Sequence, residues 1–266
     1  MSKGYELQVS ELNLVSIPIF CMMLFMISQV SWADEVEYVR IPSGHLQSNL
    51  NDPSGQSMGV LMAAFEMRSR PVTQQEFDSF LWAQPQWNKK QISPLMATSD
   101  YLADHDRAAE EVMTHVSWFA ARAYCHYEHA RLPTWFEWEY VAAADTWQKD
   151  ARTDAGRNQG ILTALQERLH RKGYVGQHLP NSYGIYDMNS LIWEWVEDFA
   201  AMFPQPDARD SSSAASLALC GGSALAFHDR GQFALMMRVA ALSSLRPDQS
   251  SSFVGFRCVR SLEGSR

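Results

Sequence analysis

The chain has 266 residues, 46% of them apolar and 12% aromatic, with 9 Trp. That is enough to bury a core of ordinary domain size and excludes a disordered chain. A formal net charge of -8 and no run of Lys or Arg exclude the basic footprint that phosphate backbones require, so no nucleic acid partner is expected.

Residues 14–30 are uncharged and mostly apolar, and they lead to Ser31, Trp32 and Ala33. Small residues stand at the two positions that a signal peptidase reads. The pattern predicts a cleaved signal over residues 1–33 and a periplasmic or secreted domain over 34–266, with no membrane contact after cleavage. The start carries Lys3 against Glu6 and Glu11, and the run is nearly long enough to cross a bilayer. An uncleaved membrane anchor is the alternative.

In the rest of the chain, residues 37–41 alternate and close on Pro42 and Gly44, as a short strand and a turn do. Residues 49–56 read as a polar turn and residues 60–67 as a second strand. Thr73 and Glu76 have capping-box spacing, which predicts a helix to about Trp82. Residues 117–130 predict a second helix, with Trp118, Ala121, Tyr124 and Cys125 on one face. Thr134 and Glu137 open a third, running to Ala144. Residues 145–177 are polar and partly helical. From Pro180 onward, short apolar groups and turns read as irregular β-structure, with residues 211–216 as a surface loop. Short helices, short strands and long loops make an α+β chain.

The four cysteines, Cys21, Cys125, Cys220 and Cys258, form neither a CxxC nor a Cys/His pattern at zinc-ligand spacing, which speaks against a structural zinc site. Cys21 falls in the export segment. An exported chain would live where disulfides persist.

Eight segments in order carry a resemblance: residues 71–77 (PVTQQEF), 116–125 (VSWFAARAYC), 131–140 (RLPTWFEWEY), 181–188 (NSYGIYDM), 193–195 (WEW), 221–223 (GGS), 238–241 (RVAA) and 255–258 (GFRC). Together they resemble the formylglycine-generating-enzyme, or sulfatase-modifying factor, family. The resemblance implies an α+β, loop-rich fold, an elaborated C-type-lectin-like domain. It also implies a Cys125–Cys258 disulfide, while the family's second pair falls on Ala142 and Val239. More narrowly, residues 186–198, residues 220–223 and the long spacer ending in 233–238 (FALMMR) resemble the NirV-type proteins, exported members encoded beside copper nitrite reductases. That likeness implies a periplasmic partner, a copper nitrite reductase or its maturation factors, and a place in denitrification.

The departures from the family carry as much meaning. In the enzymes a copper-binding Cys comes three residues after the Gly-Gly-Ser, and a second five residues later. Here Ala226 and Gly231 hold those positions, and no Cys lies between Ser223 and Arg238. Cu(I) needs soft thiolate ligands. The expectation is a protein that is not a genuine formylglycine-generating oxidase, with no cofactor and no metal. Leu191 stands where a family Asn helps bind calcium, and its side chain has no oxygen to offer.

Ser223, His228, Cys220, Arg238 and Trp193 are the candidate cleft residues. Cys220 is either a reactive odd thiol or a small buried hydrophobe. His228 is either a base or copper ligand, or a solvated loop side chain. Met236 and Met237 are thioether ligands or core. His126 and His129 read as a surface pair, and residues 193–195 as core beside the cleft. Three uses of the fold stay open: an accessory protein, an enzyme with altered oxidase-type chemistry in the cleft, and a lectin-like module that binds a ligand or a protein.

Overall fold

Strand β1 (Tyr38–Ile41) pairs antiparallel with β4 (Phe65–Arg68), which pairs in turn with the last strand, β7 (Val259–Ser261). The two ends of the domain are therefore closed against each other. The computed structural model describes residues 37–51, 56–103, 107–168, 173–189, 191–199 and 233–262. They fall in one unit that begins at Glu37. Among them no helix is long and apolar enough to cross a membrane; the signal expected over residues 1–33 lies outside them.

Between β1 and β4 runs a hairpin of β2 (Gly44–Asn51) and β3 (Ser57–Met62). Two readings of the sequence are corrected here. Strand β2 extends through residues expected as turn, and the expected second strand divides into β3 and β4. The cause is a partner distant in sequence. The buried Glu139 carboxylate accepts from Ser48 Oγ at 2.6 Å and from the Asn49 N–H at 2.6 Å. Polar residues thus become strand residues because an acid satisfies them. At Gly44 an added Cβ would collide with the Tyr140 hydroxyl, so glycine allows the hairpin to lie on the third helix.

Helices α1 (Gln74–Ala83) and α3 (Trp135–Ala142) begin with full capping boxes, Thr73 with Glu76 and Thr134 with Glu137. Helix α2 (Trp118–Tyr127) is capped by the Ser117 hydroxyl. These starts match the sequence signals, while α2 and α3 stop two or three residues early. His126 and His129 are both exposed, and His129 lies past the end of α2 with φ 55. Helix α4 (Ala155–Arg168) occupies the polar stretch.

Strand β5 (Trp193–Glu194) pairs in parallel with β6 (Val254–Gly255). Gly255 is required there, because a Cβ would strike the Met113 carbonyl oxygen and Ile192. The region read as irregular β-structure also contains an 11-residue helix, α5 (Phe233–Ser243). Its Ala, Leu and Met content favours a helix, and its buried face carries Arg238, Val239 and Leu242. Met236 packs against the core while Met237 faces solvent.

The core holds three wholly enclosed indoles, Trp135, Trp138 and Trp195, and an aromatic group of Phe77, Phe80, Tyr124 and Phe256. A Cys125–Cys258 disulfide, with Cα atoms 5.5 Å apart, joins α2 to the segment leading into β7. Ala142 and Val239, where the resemblance places a second cysteine pair, are both buried. Leu191 packs with Val112, Val175 and Ile192 in a small apolar cluster.

Candidate functional site

The site is built around strand β5, whose two residues alternate as a pleat requires. Glu194 points inward and is 0% exposed; Trp193 points toward a cavity. A buried carboxylate must be paired and hydrogen-bonded. Arg257 meets it with Nε and Nη2, each at 2.8 Å, and Trp138 Nε1 donates to it at 3.0 Å. Arg257 also donates to the carbonyl oxygens of Tyr186 and Arg68. One ion pair therefore fixes β5, α3 and the 181–188 segment together.

Arg238 reaches the same place from α5. Its Nη2 donates to the Glu194 carbonyl oxygen at 2.6 Å, and its guanidinium lies 3.4 Å from the centre of the Trp138 ring. This close stack on an indole face is a cation–π contact. Nε and Nη1 have no hydrogen-bond partner. Loss of water pushes the Arg238 guanidinium down to about 9, against the pull of Glu194 and Glu139. Arg238 lines a void of about 20 Å³ together with Trp138, Trp193 and Leu235.

That void shares Ile161, Met188 and Asn189 with a cleft of about 370 Å³ between α4 and the 178–189 segment. The segment holds its shape through Asn181, whose Oδ1 accepts from the N–H groups of Tyr183 and Ile185. Gly184 adopts φ 85 and Asp187 φ 59, a conformation that Gly takes freely and Asp tolerates. Asp187 is buried, accepting from the Gly176 N–H at 2.6 Å and lying 3.0 Å from His178 Nδ1. His178 is more than half exposed in the cleft. On the opposite wall Arg157 donates to the Ala142 carbonyl oxygen and to Asn158 Oδ1, and burial lowers its proton affinity. Asn189 also donates to Ala142, at 3.1 Å. Among the described residues no three His, Cys, Asp or Glu side chains converge as metal ligands.

Of the candidate residues, Arg238 and Trp193 come together at the small void beside this cleft. Ser223, His228 and Cys220 lie outside the described residues, as do Ala226 and Gly231. The sequence motifs did not single out Arg157, His178 or Asn189. Asp187 and Glu194 sat inside recognised blocks without an assigned role. Only the approach of α4 to the 178–189 segment makes a cleft of Arg157, His178, Asp187 and Asn189.

The family model described as "Sulfatase-modifying factor enzyme 1-like domain" matches residues 26–262, so this chain belongs to the formylglycine-generating-enzyme, or sulfatase-modifying factor, family. It is similar to "Formylglycine-generating enzyme" of Streptomyces coelicolor, 33% identical over 165 residues, covering 55% of this chain and 51% of that protein. It is also similar to "Inactive C-alpha-formylglycine-generating enzyme 2" of Mus musculus, 31% identical over 160 residues, covering 56% and 49%. The chain thus matches about half the length of these curated relatives. The solved structure of PvdO from Pseudomonas aeruginosa aligns with a TM-score of 0.50 and 17% identity, over 85% of this chain and 94% of that one. That likeness shows the fold, the loop-rich α+β architecture expected from the motifs.

Proposed function

We propose that this chain is a non-generating member of its family: an exported accessory protein that supports a periplasmic copper nitrite reductase or its maturation, and so a denitrification pathway. One observation carries the reading. Ser223 is followed by Ala226 and Gly231 at the positions of the enzymes' copper cysteines, and no Cys occurs before Arg238. A methyl group and a hydrogen atom cannot donate to Cu(I), and backbone atoms do not replace thiolate sulfur. The donor set therefore does not fit the metal.

Two further observations support the reading. A 31% identical relative bears the name "Inactive C-alpha-formylglycine-generating enzyme 2", so a relative without the generating activity is on record. The apolar run over residues 14–30 and the Ser31–Ala33 tripeptide support export. The likeness to NirV-type proteins supports the pathway.

The test is a peptide-oxidation assay on a sulfatase-type cysteine peptide, with copper and oxygen supplied, run beside a Cys220→Ser variant. No formylglycine is expected from either protein. Turnover in the wild type that vanishes in the variant would mean that the chemistry has been rebuilt around Cys220, and the reading would fall.

A further inference from the structure

The cleft between α4 and the 178–189 segment uses up its donors and keeps its acceptors. Arg157 gives both Nη groups away, to Asn158 Oδ1 and the Ala142 carbonyl oxygen. The amide nitrogens of Asn181 and Asn189 donate to the carbonyl oxygens of Val141 and Ala142. Three acceptors on residues of the same walls take no hydrogen bond from a described residue. Asp145 receives the N–H groups of Trp147 and Gln148 on Oδ1 alone, which leaves Oδ2. Asn189 Oδ1 is the second, since that side chain is held only through its nitrogen.

His178 Nε2 is the third. The buried Asp187 carboxylate can only accept, so it holds the ring hydrogen on Nδ1, 3.0 Å away, and Nε2 of the neutral ring is left as an acceptor. Burying an acid is costly, and this one orients a ring that is itself more than half exposed in the cleft. The charge has the same sense. Hydrogen bonds from Gln148 and Trp147 hold the Asp145 carboxyl below the usual carboxylate range. With the ring neutral, the described wall residues carry two carboxylates, Asp145 and Asp187, against the one guanidinium of Arg157. Between the polar groups lie Ile161, Leu179, Ile185 and Met188, and the space is about 370 Å³, the size of a small-molecule site. Open acceptors, a net negative charge and aliphatic walls call for a ligand that brings N–H donors, a positive charge and a short hydrocarbon chain.

We propose that this cleft binds a small aliphatic amine as its ammonium, seated on Asp145 Oδ2 within the acceptor wall that His178 and Asn189 extend. Its chain lies on Ile161, Leu179, Ile185 and Met188. The proposal goes beyond the accessory reading and does not rest on it. Thiol oxidation tests the one, and ligand binding tests the other.

The experiment titrates the full chain with pentylamine, followed by calorimetry and by the imidazole NMR signals of His178. Pentanol and pentanoate, of the same length without the charge and with the opposite one, are titrated in parallel. Pentylamine is expected to bind and to move the His178 signals. Asp145→Asn, which keeps an oxygen for the two N–H groups, is expected to weaken it by about fivefold or more, the loss of a charge-assisted contact. Arg157→Gln is expected to tighten it by about twofold or more, since a like charge leaves the wall. Nα-acetyl-lysine methylamide is a further arm: tighter binding than pentylamine assigns the ammonium to a protein side chain, and weaker binding assigns it to a free amine. The proposal is overturned by no pentylamine binding, by pentanol or pentanoate binding as tightly, or by binding that leaves the His178 signals in place. Unchanged affinity in folded Asp145→Asn, or weaker binding in folded Arg157→Gln, overturns it as well.

Discussion

Glu194 and Arg257, both 0% exposed, are joined at two points in the middle of the molecule. A buried ion pair adds little over an apolar pair of the same shape, yet breaking one half of it is costly. Here the cost is sharpened by Arg238, a second buried cation that leans on the Glu194 carbonyl and is drawn by its carboxylate. Glu194→Gln would leave two guanidinium groups in the core without a full counter-charge. The expected destabilisation is about 3–5 kcal/mol, read as a lower urea midpoint at unchanged slope. A midpoint within error of the wild type would mean that the pair is not what fixes β5. The residues of the pair were visible in the recognised blocks, but their meeting was not. They stand 63 positions apart, and nothing in local periodicity links them.

Among the elements, the helix starts follow local chemistry, and their placement follows a covalent tie. Thr73, Ser117 and Thr134 each accept from a backbone N–H of the first turn. A hydroxyl three residues from its partner forms this bond without help from the rest of the fold. The Cys125–Cys258 bridge then anchors α2 across a sequence separation of 133 residues. In the chain-entropy model, closing so long a loop stabilises the folded state by about 5 kcal/mol. Non-reducing peptide mapping should recover the two cysteines as one linked pair, and Cys125→Ser/Cys258→Ser should lower the melting temperature markedly. Two free thiols in protein purified without reductant would contradict it. Helix α5 escaped the sequence reading because its 233–243 stretch is apolar on most sides, so period 3.6 hardly shows. Its mixed burial appears only once Arg238 and Leu242 meet the core and Met237 meets water.

For the whole molecule, the family is established over residues 26–262, while compartment and pathway remain part of the proposal. Export predicts a mature protein whose first residue is Asp34. Mass spectrometry of the native protein checks it. A soluble cytoplasmic species retaining Met1 would sink the export reading and, with it, the periplasmic partner.

Short-range chemistry was legible from the sequence alone: three helix starts, the first strand and the ordered motifs that identify the family. Each depends on residue identity or on spacings of a few positions, which the chain carries wherever it folds. Tertiary structure alone decided the rest. Glu139 made strand residues of Ser48 and Asn49. Helix α4 brought Arg157 to the wall of the cleft, and helix α5 brought Arg238 to the void beside it. The physical reason is common to both. A buried polar group takes its meaning from whichever partner reaches it, and those partners are 90 residues away for Asn49 and 44 for Arg238. Whether such a group ends up satisfied, like Glu194, or with two nitrogens unpartnered, like Arg238, is settled only by packing.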